Sequence, residues 1–344
     1  MSQIPVAVVG ASGYSGEQLC ALLAAHPDVE ISMITSRQNT GRSVQDVIPR
    51  LRGNLSVAGL SFSEPSIDGL IDSGAEYVFL ATPHGLAAEY AAPLFHHGKR
   101  ILDLSADFRL RTADLYREFY LEEHPEPKLL EDAVYGMPEL YRPEIEKGQL
   151  IACPGCYPTT IILSLAPLLQ EGLIDPDSIV ISSVSGVSGA GRKAEVPYLF
   201  AECNESVRAY GLPKHRHLGE IEQELTVMAG KPVTVTFVPH LVPITKGMHT
   251  TIFADLVPGT SEQDIEESYL RAYAEEPFIR MIPECPDVKN VTGTNFLDMS
   301  RRIDERTGRI VVLAAQDNLI KGASGQALQC FNLLARLPET TGLL

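Results

Sequence analysis

Ile4 to Val9 is a nearly continuous apolar run, the pattern of a strand buried on both faces of a parallel sheet. Gly10-Ala11-Ser12-Gly13-Tyr14-Ser15-Gly16 follows, and Leu19, Leu22 and Leu23 then recur at helical spacing. The pattern predicts strand, glycine turn and helix. Further apolar runs at 29–34, 76–81, 100–104 and 150–152 predict the remaining strands of the same sheet. Residues 111–148, rich in charge, proline and tyrosine, predict a long irregular excursion with short helices.

Beyond residue 156 the pattern changes. Residues 178–184, 233–238 and 248–256 are β-rich with few helices between them, which predicts a separate α+β domain with a mainly antiparallel sheet. Ile221, Leu225 and Met228 mark a helix expected to carry Glu220, Glu222 and Glu224 on its polar faces. Residues 261–274 read as an exposed helix with Ser261 as N-cap and Asp264 completing the box. Residues 310–315 form a strand, and Leu328, Phe331, Leu334 and Leu337 space a final helix for burial against the N-terminal domain. The expected organisation is an α/β N-terminal Rossmann-type domain, residues 1–152 completed by 318–344, and a catalytic domain, residues 153–317.

The glycines of the first turn follow G-x-x-G-x-x-G, a variant of the dinucleotide fingerprint. They let the backbone turn tightly and approach a pyrophosphate that rests on the helix N-terminus. A plain tight turn is the alternative. The second strand ends at Thr35-Ser36-Arg37 and not at an acidic residue, which suits a 2′-phosphate and favours NADP over NAD. Thr82 and Pro83 end the third strand at the edge where such sheets bind ligands. Gly10, Ser12, Gly13, Tyr14, Ser15, Gly16, Ser36, Arg37, Thr82 and Pro83 are therefore the cofactor candidates. Ser188 and Gly189, in the small-residue loop 185–192, join them, and Asn318 is a candidate for the nicotinamide amide.

Composition narrows the partners. With 28 basic against 44 acidic residues among 344, the net charge of −16 argues against nucleic acid or an anionic membrane. No apolar run approaches the ~20 residues of a membrane span, and the chain starts directly in a strand, so a cytoplasmic protein is expected. Six scattered cysteines predict reduced thiols. Cys153 and Cys156 form a CxxC, but no second pair completes a zinc site, and no metal is expected.

Cys156 lies between a short strand and the helix start marked by Pro158, Thr159 and Thr160. Unpaired N–H groups and the helix dipole favour thiolate there, which makes a nucleophile; a small buried cysteine is the plain alternative. His215 and His217, at a loop-to-helix junction, are candidates for general acid or base. Arg109 and Arg192 are candidates for binding anions, with a structural ion pair the competing reading of Arg109.

Together these motifs resemble the N-acetyl-gamma-glutamyl-phosphate reductase family and, more distantly, aspartate-semialdehyde dehydrogenase. The resemblance runs through 10–16, 105–109, 154–159, 185–192, 215–221, 237–243 and 322–326, with Gly-Cys-Tyr-Pro-Thr its most specific stretch. Cys153 stands where asparagine is common and Gly219 where proline is usual; neither touches the expected nucleophile. The resemblance implies that Cys156 attacks the acyl phosphate, that a thioester forms, and that NADPH reduces it. It implies His217 as proton carrier with His215 as fallback, and Arg109 and Arg192, with Lys193, as ligands of a small anionic substrate. A homodimer or homotetramer is implied on the same ground. The competing readings are a reductase of a homologous acyl phosphate, a cysteine acyl-transferase or hydrolase, and an NADP-binding sensor that responds through its CxxC.

Overall fold

The computed structural model describes residues 3–192 and 194–344 and divides into two compact units, Met1–Pro154 with Ala323–Leu344, and Gly155–Gly322. The boundaries lie a few residues from those expected, for local reasons. The Cys153 N–H donates to the Asp103 carbonyl at 2.8 Å, which keeps Cys153 in the first unit. The Asn318 amide bonds to Gly247 and Ser188, which keeps it in the second.

The first unit is a six-stranded sheet in the order β2-β1-β3-β4-β6-β5. Its strands are β1 (Ile4–Val9), β2 (Val29–Thr35), β3 (Tyr77–Leu80), β4 (Arg100–Asp103), β5 (Ala133–Tyr135) and β6 (Leu150–Ala152), all parallel. Helices on both faces explain why β1 is apolar throughout. Val6 and Val8 point into a core with Leu19, Leu23 and Phe331, while Ala7 and Val9 point into another with Ala87, Ala91 and Leu94. The helix Gly325–Leu334 thus completes this unit: Phe331 meets Tyr77 edge-on at 4.9 Å, and Arg100 donates to the Leu334 carbonyl at 2.6 Å. β5 lies inside the stretch expected to be irregular. Three residues at a sheet edge are too short for their own periodicity to show.

The second unit holds a seven-stranded sheet in the order β11-β12-β13-β10-β7-β9-β8. Its strands are β7 (Val180–Ser185), β8 (Arg208–Ala209), β9 (Thr236–Leu241), β10 (Met248–Asp255), β11 (Ile279–Met281), β12 (Leu297–Asp304) and β13 (Arg309–Gln316). It is mainly antiparallel, with β7–β9 and β11–β12 parallel. β10 alternates buried and half-buried residues along its length, the mark of a sheet covered on one face. The covering layer includes the helix Cys156–Gln170, tied to the sheet by a hydroxyl chain in which Thr160 meets Thr250 at 2.8 Å and Thr250 meets Ser183 at 2.9 Å. Pro167 in that helix has no N–H to offer the Leu163 carbonyl, and the Tyr273 hydroxyl donates to it at 2.6 Å instead. Ser261 and Asp264 form the full capping box of the helix Glu262–Tyr273.

One expectation for this unit changes, and the strand β12 was not foreseen. The helix Leu218–Ala229 does not carry all its glutamates toward solvent: Glu220 and Glu224 are fully buried, and the Glu222 carboxylate accepts the Val235 N–H at 3.0 Å. β12 breaks the apolar pattern with Asp298. That residue is buried because Arg280, opposite it in register on β11, pairs with it at 2.5 Å.

Candidate functional site

In the first unit the chain turns sharply between β1 and the helix Tyr14–Ala25, at the point where strand order reverses and β2 and β3 flank β1. Gly10 has φ +81°, and a Cβ on it would lie 2.6 Å from the Ala81 carbonyl oxygen; one on Gly16 would lie 2.7 Å from Ala11 Cα. Only glycine permits this approach. Gly13 sits at the N-cap without a side-chain cap, which leaves the first turn of the helix for an anion. The hydroxyls of Ser12 and Ser36 meet at 3.1 Å across 24 residues, and Asn39 donates to Ser36 at 3.2 Å. Arg37 is exposed and donates to the Tyr90 hydroxyl at 3.1 Å. Thr82 Oγ1 is buried with no hydrogen-bond partner, an orphan beside the glycine turn. Pro83, Tyr14 and Ser15 border the same turns, with Pro83 and Tyr14 exposed. A close backbone turn, an uncapped helix start and an orphaned hydroxyl fit a dinucleotide.

Arg109 also belongs to this unit. It is almost fully buried, with Nε donating to the Cys153 carbonyl at 2.8 Å and Nη2 to the Leu104 carbonyl at 3.0 Å. Much of its donor fork therefore fixes backbone rather than facing a ligand.

In the second unit Cys156 is the first residue of the helix Cys156–Gln170, with Gly155 at the N-cap and no side chain capping it. All six cysteines are thiols; Cys156 is partly exposed and Cys153 buried. The Gly155 N–H donates to Glu220 Oε1 at 2.7 Å. Gly155 also lies against the His217 ring: a Cβ here would sit 2.6 Å from Nε2. The starts of the Cys156 and Leu218–Ala229 helices are thus joined, with His217 at the second helix's N-cap. The sequence supplied His217 for this site, but Glu220 looked like one more surface glutamate.

His215 plays a different part. Its Nδ1 accepts the His217 N–H at 3.1 Å, and its ring lies 4.9 to 5.7 Å from those of His217, Phe237, Tyr210 and Tyr157. Burial, assisted by the Arg216 charge, lowers its pKa from the usual 6.5 to about 4, so the ring is neutral near pH 7. Gln316 donates to the Cys156 carbonyl at 2.7 Å, a contact with no signal in the sequence.

Asn318 is buried with both ends of its amide used: Nδ2 donates to Ser188 Oγ at 3.0 Å and Oδ1 accepts the Gly247 N–H at 2.7 Å. It knits the Ser188–Gly189 turn to the turn at Gly247. Arg192 is exposed, and Lys193 lies outside the described residues. Among the described residues no His, Cys, Asp and Glu group of metal-binding form is present.

A dinucleotide-type turn in one domain and a cysteine opening a helix in the other define the semialdehyde dehydrogenase class. A family model for the semialdehyde dehydrogenase NAD-binding domain matches residues 5–148, and one for the semialdehyde dehydrogenase dimerisation domain matches 156–318. The N-acetyl-gamma-glutamyl-phosphate reductase of Akkermansia muciniphila is 48% identical over 100% of this chain and 99% of its own length. That of Citrifermentans bemidjiense is 48% identical over 99% and 98%. The chain belongs to the N-acetyl-gamma-glutamyl-phosphate reductase family. Two solved structures share its fold: aspartate semialdehyde dehydrogenase II from Vibrio cholerae complexed with ASA, with TM-score 0.72, 18% identity and coverage of 98% of this chain and 99% of that one, and aspartate semialdehyde dehydrogenase with NADP from Candida albicans, with TM-score 0.72, 16% identity and coverage of 97% and 99%.

Proposed function

We propose that this chain reduces N-acetyl-L-glutamyl 5-phosphate to N-acetyl-L-glutamate 5-semialdehyde with NADPH, releasing phosphate, in arginine biosynthesis. The observation that carries the reading is Cys156 at the head of its helix, with the His217 ring against the adjoining Gly155. Cys156 Sγ forms a bond to the acyl carbon, the bond from that carbon to the phosphate oxygen breaks, and a thioester remains. His217 Nε2 takes the thiol proton and returns it to sulfur when the C–S bond breaks. NADPH, when bound, supplies the hydride that reduces the thioester carbon. Gly10, Gly13 and Gly16 give its pyrophosphate room, and Thr82 offers a hydroxyl.

His217 is preferred to His215 because His215 spends Nδ1 on the His217 backbone and sits among aromatic rings. Arg192 is the exposed candidate for the substrate's charges, while Arg109 contributes by holding the Cys153 carbonyl. The Ser188–Gly189 turn serves the cofactor through its backbone, held by Asn318. Ser36 and the exposed Arg37 support a 2′-phosphate and hence NADP.

The protein works as a homodimer or homotetramer. Support comes from the sheet face bearing Val184, Val238, Phe253 and Leu313, which alternates with the buried face and remains half-exposed in one copy. A cytoplasmic location accords with the acidic composition, and among the described residues no helix is long and apolar enough to cross a membrane.

The test is oxidation of N-acetylglutamate 5-semialdehyde with NADP and phosphate, followed at the NADPH wavelength. Wild type should turn over and Cys156→Ser should not. Equal or higher kcat/KM with the aspartate or aminoadipate semialdehyde would overturn the substrate. Acyl-phosphate cleavage without NADPH consumption would replace the reductase by a hydrolase. Arg37→Ala should raise KM for NADPH far more than KM for NADH, and equal effects would remove Arg37 from the 2′-phosphate.

A further inference from the structure

Asp107 is fully buried, and its carboxylate reaches back across the first unit to the loop after β3. Oδ1 accepts the Gly85 N–H at 2.6 Å and Oδ2 accepts the Ala88 N–H at 3.1 Å. Ala88 lies in the first turn of the helix Ala87–His96, whose N-cap, Leu86, has no side chain able to satisfy its N–H, and Gly85 immediately precedes that cap. Asp107 is itself held on both sides. Its N–H donates to Ser105 Oγ at 3.1 Å, and that hydroxyl donates to Asp103 at 2.9 Å. Its carbonyl accepts from His124 Nε2 at 2.7 Å, since His124 Nδ1 already accepts the Glu126 N–H.

The loop so held runs along the glycine turn. A Cβ on Gly10 would meet the Ala81 carbonyl oxygen at 2.6 Å and the Thr82 nitrogen at 3.3 Å. Thr82 carries the buried, unpartnered hydroxyl there. A loop that offers a ligand one unsatisfied hydroxyl loses its value if it shifts by an ångström.

We propose that Asp107 is a positioning residue for dinucleotide binding: its carboxylate clamps the 82–86 loop so that Thr82 faces the Gly10–Gly13 turn. The inference rests on the dinucleotide reading of that turn. A carboxylate does this better than a hydroxyl or an amide, because it offers two strong acceptors to two N–H groups at the positive end of a helix.

The experiment is titration of the intact protein with NADPH, by nucleotide fluorescence, for wild type and Asp107→Asn. The amide keeps the shape but turns an NH2 toward one of the two N–H donors. The dissociation constant should rise about tenfold or more, a change comparable to losing one charge-assisted hydrogen bond. Hydrogen exchange at Gly85 and Ala88 should accelerate, while kcat at saturating NADPH and alkylation of Cys156 by iodoacetamide stay at wild-type values. A folded Asp107→Asn with lowered Tm and unchanged NADPH affinity would reduce Asp107 to a helix cap and overturn the proposal. If Asp107→Asn does not fold, Thr82→Val decides, since it removes the hydroxyl and leaves the clamp; weaker NADPH binding supports the proposal and unchanged binding overturns it. Failure of the wild type to bind NADPH would defeat the dinucleotide reading itself.

Discussion

The Gly155 amide donates to the Glu220 carboxylate at 2.7 Å, across 65 residues of chain. One bond thereby joins the helix that begins with Cys156 to the helix capped by His217. Glu220 is fully buried, and a buried carboxylate is tolerable only with such donors around it. The thiol and the imidazole therefore share a frame made from two helix starts.

Removing that acceptor should loosen the frame. Glu220→Ala leaves the Gly155 N–H buried without its acceptor, at a cost of about 1–3 kcal/mol. Glu220→Gln keeps a neutral acceptor and should fall between the two. Urea unfolding and kcat should rank Glu, Gln, Ala in that order. An Ala variant with wild-type kcat would separate Glu220 from the chemistry.

Gly155→Ala tests the other side of the same contact. The new methyl would lie 2.6 Å from His217 Nε2 and 2.9 Å from Cε1, so the ring must leave its place. A fall in kcat of about 10²-fold is expected, as for other misplaced catalytic groups. NADPH affinity should not change, because the residues proposed to hold the dinucleotide do not include Gly155 or His217, and titration alongside the rate assay checks both.

The two histidines should separate by rate and by pH. His217→Asn removes the proposed proton carrier, with an expected loss of about 10²–10⁴-fold in kcat. His215→Asn should keep most activity, because an asparagine oxygen can accept the N–H two residues on. Stability gives a second reading. Folding lowers the His215 pKa from 6.5 to about 4, so between those values the unfolded chain binds the extra proton. This contribution is complete above pH 6.5 and is lost as pH falls toward 4. His215→Asn should therefore remove about 1–2 kcal/mol from the difference in unfolding free energy between pH 7 and pH 5. Urea titrations at both pH values measure it; the same difference in both proteins would contradict the buried neutral imidazole.

Tyr273→Phe should lower stability by about 1–2 kcal/mol with little effect on kcat, because the Leu163 carbonyl beside Pro167 loses its donor. Calorimetry and the rate assay together check it. An unchanged Tm would mean that the carbonyl finds another partner.

Much of this protein is set by local pattern. The apolar run of β1, the glycines after it and the proline and threonines after Cys156 act over a few residues, through backbone sterics and helix-start chemistry. A linear reading finds them for that reason. The same holds for the final helix, whose apolar spacing announces burial. What a linear reading cannot assign is the partner of a polar group. Glu220 and Glu224 share the spacing of a solvated helix face, yet they are buried, and the Gly155 N–H meets one carboxylate oxygen of Glu220. Asp298 interrupts β12, and its acceptability depends on Arg280 in the neighbouring strand. Asp107 reads as one acid in a loop until Gly85 and Ala88 arrive beside it. A buried charge is paid for by whichever donor the fold delivers, often from far along the chain. The sequence by itself therefore determined the two architectures, the glycine turn after β1 and the cysteine at the head of its helix. Only the tertiary structure decided which histidine stands against Gly155, which arginine is spent on backbone and which carboxylates hold the loops.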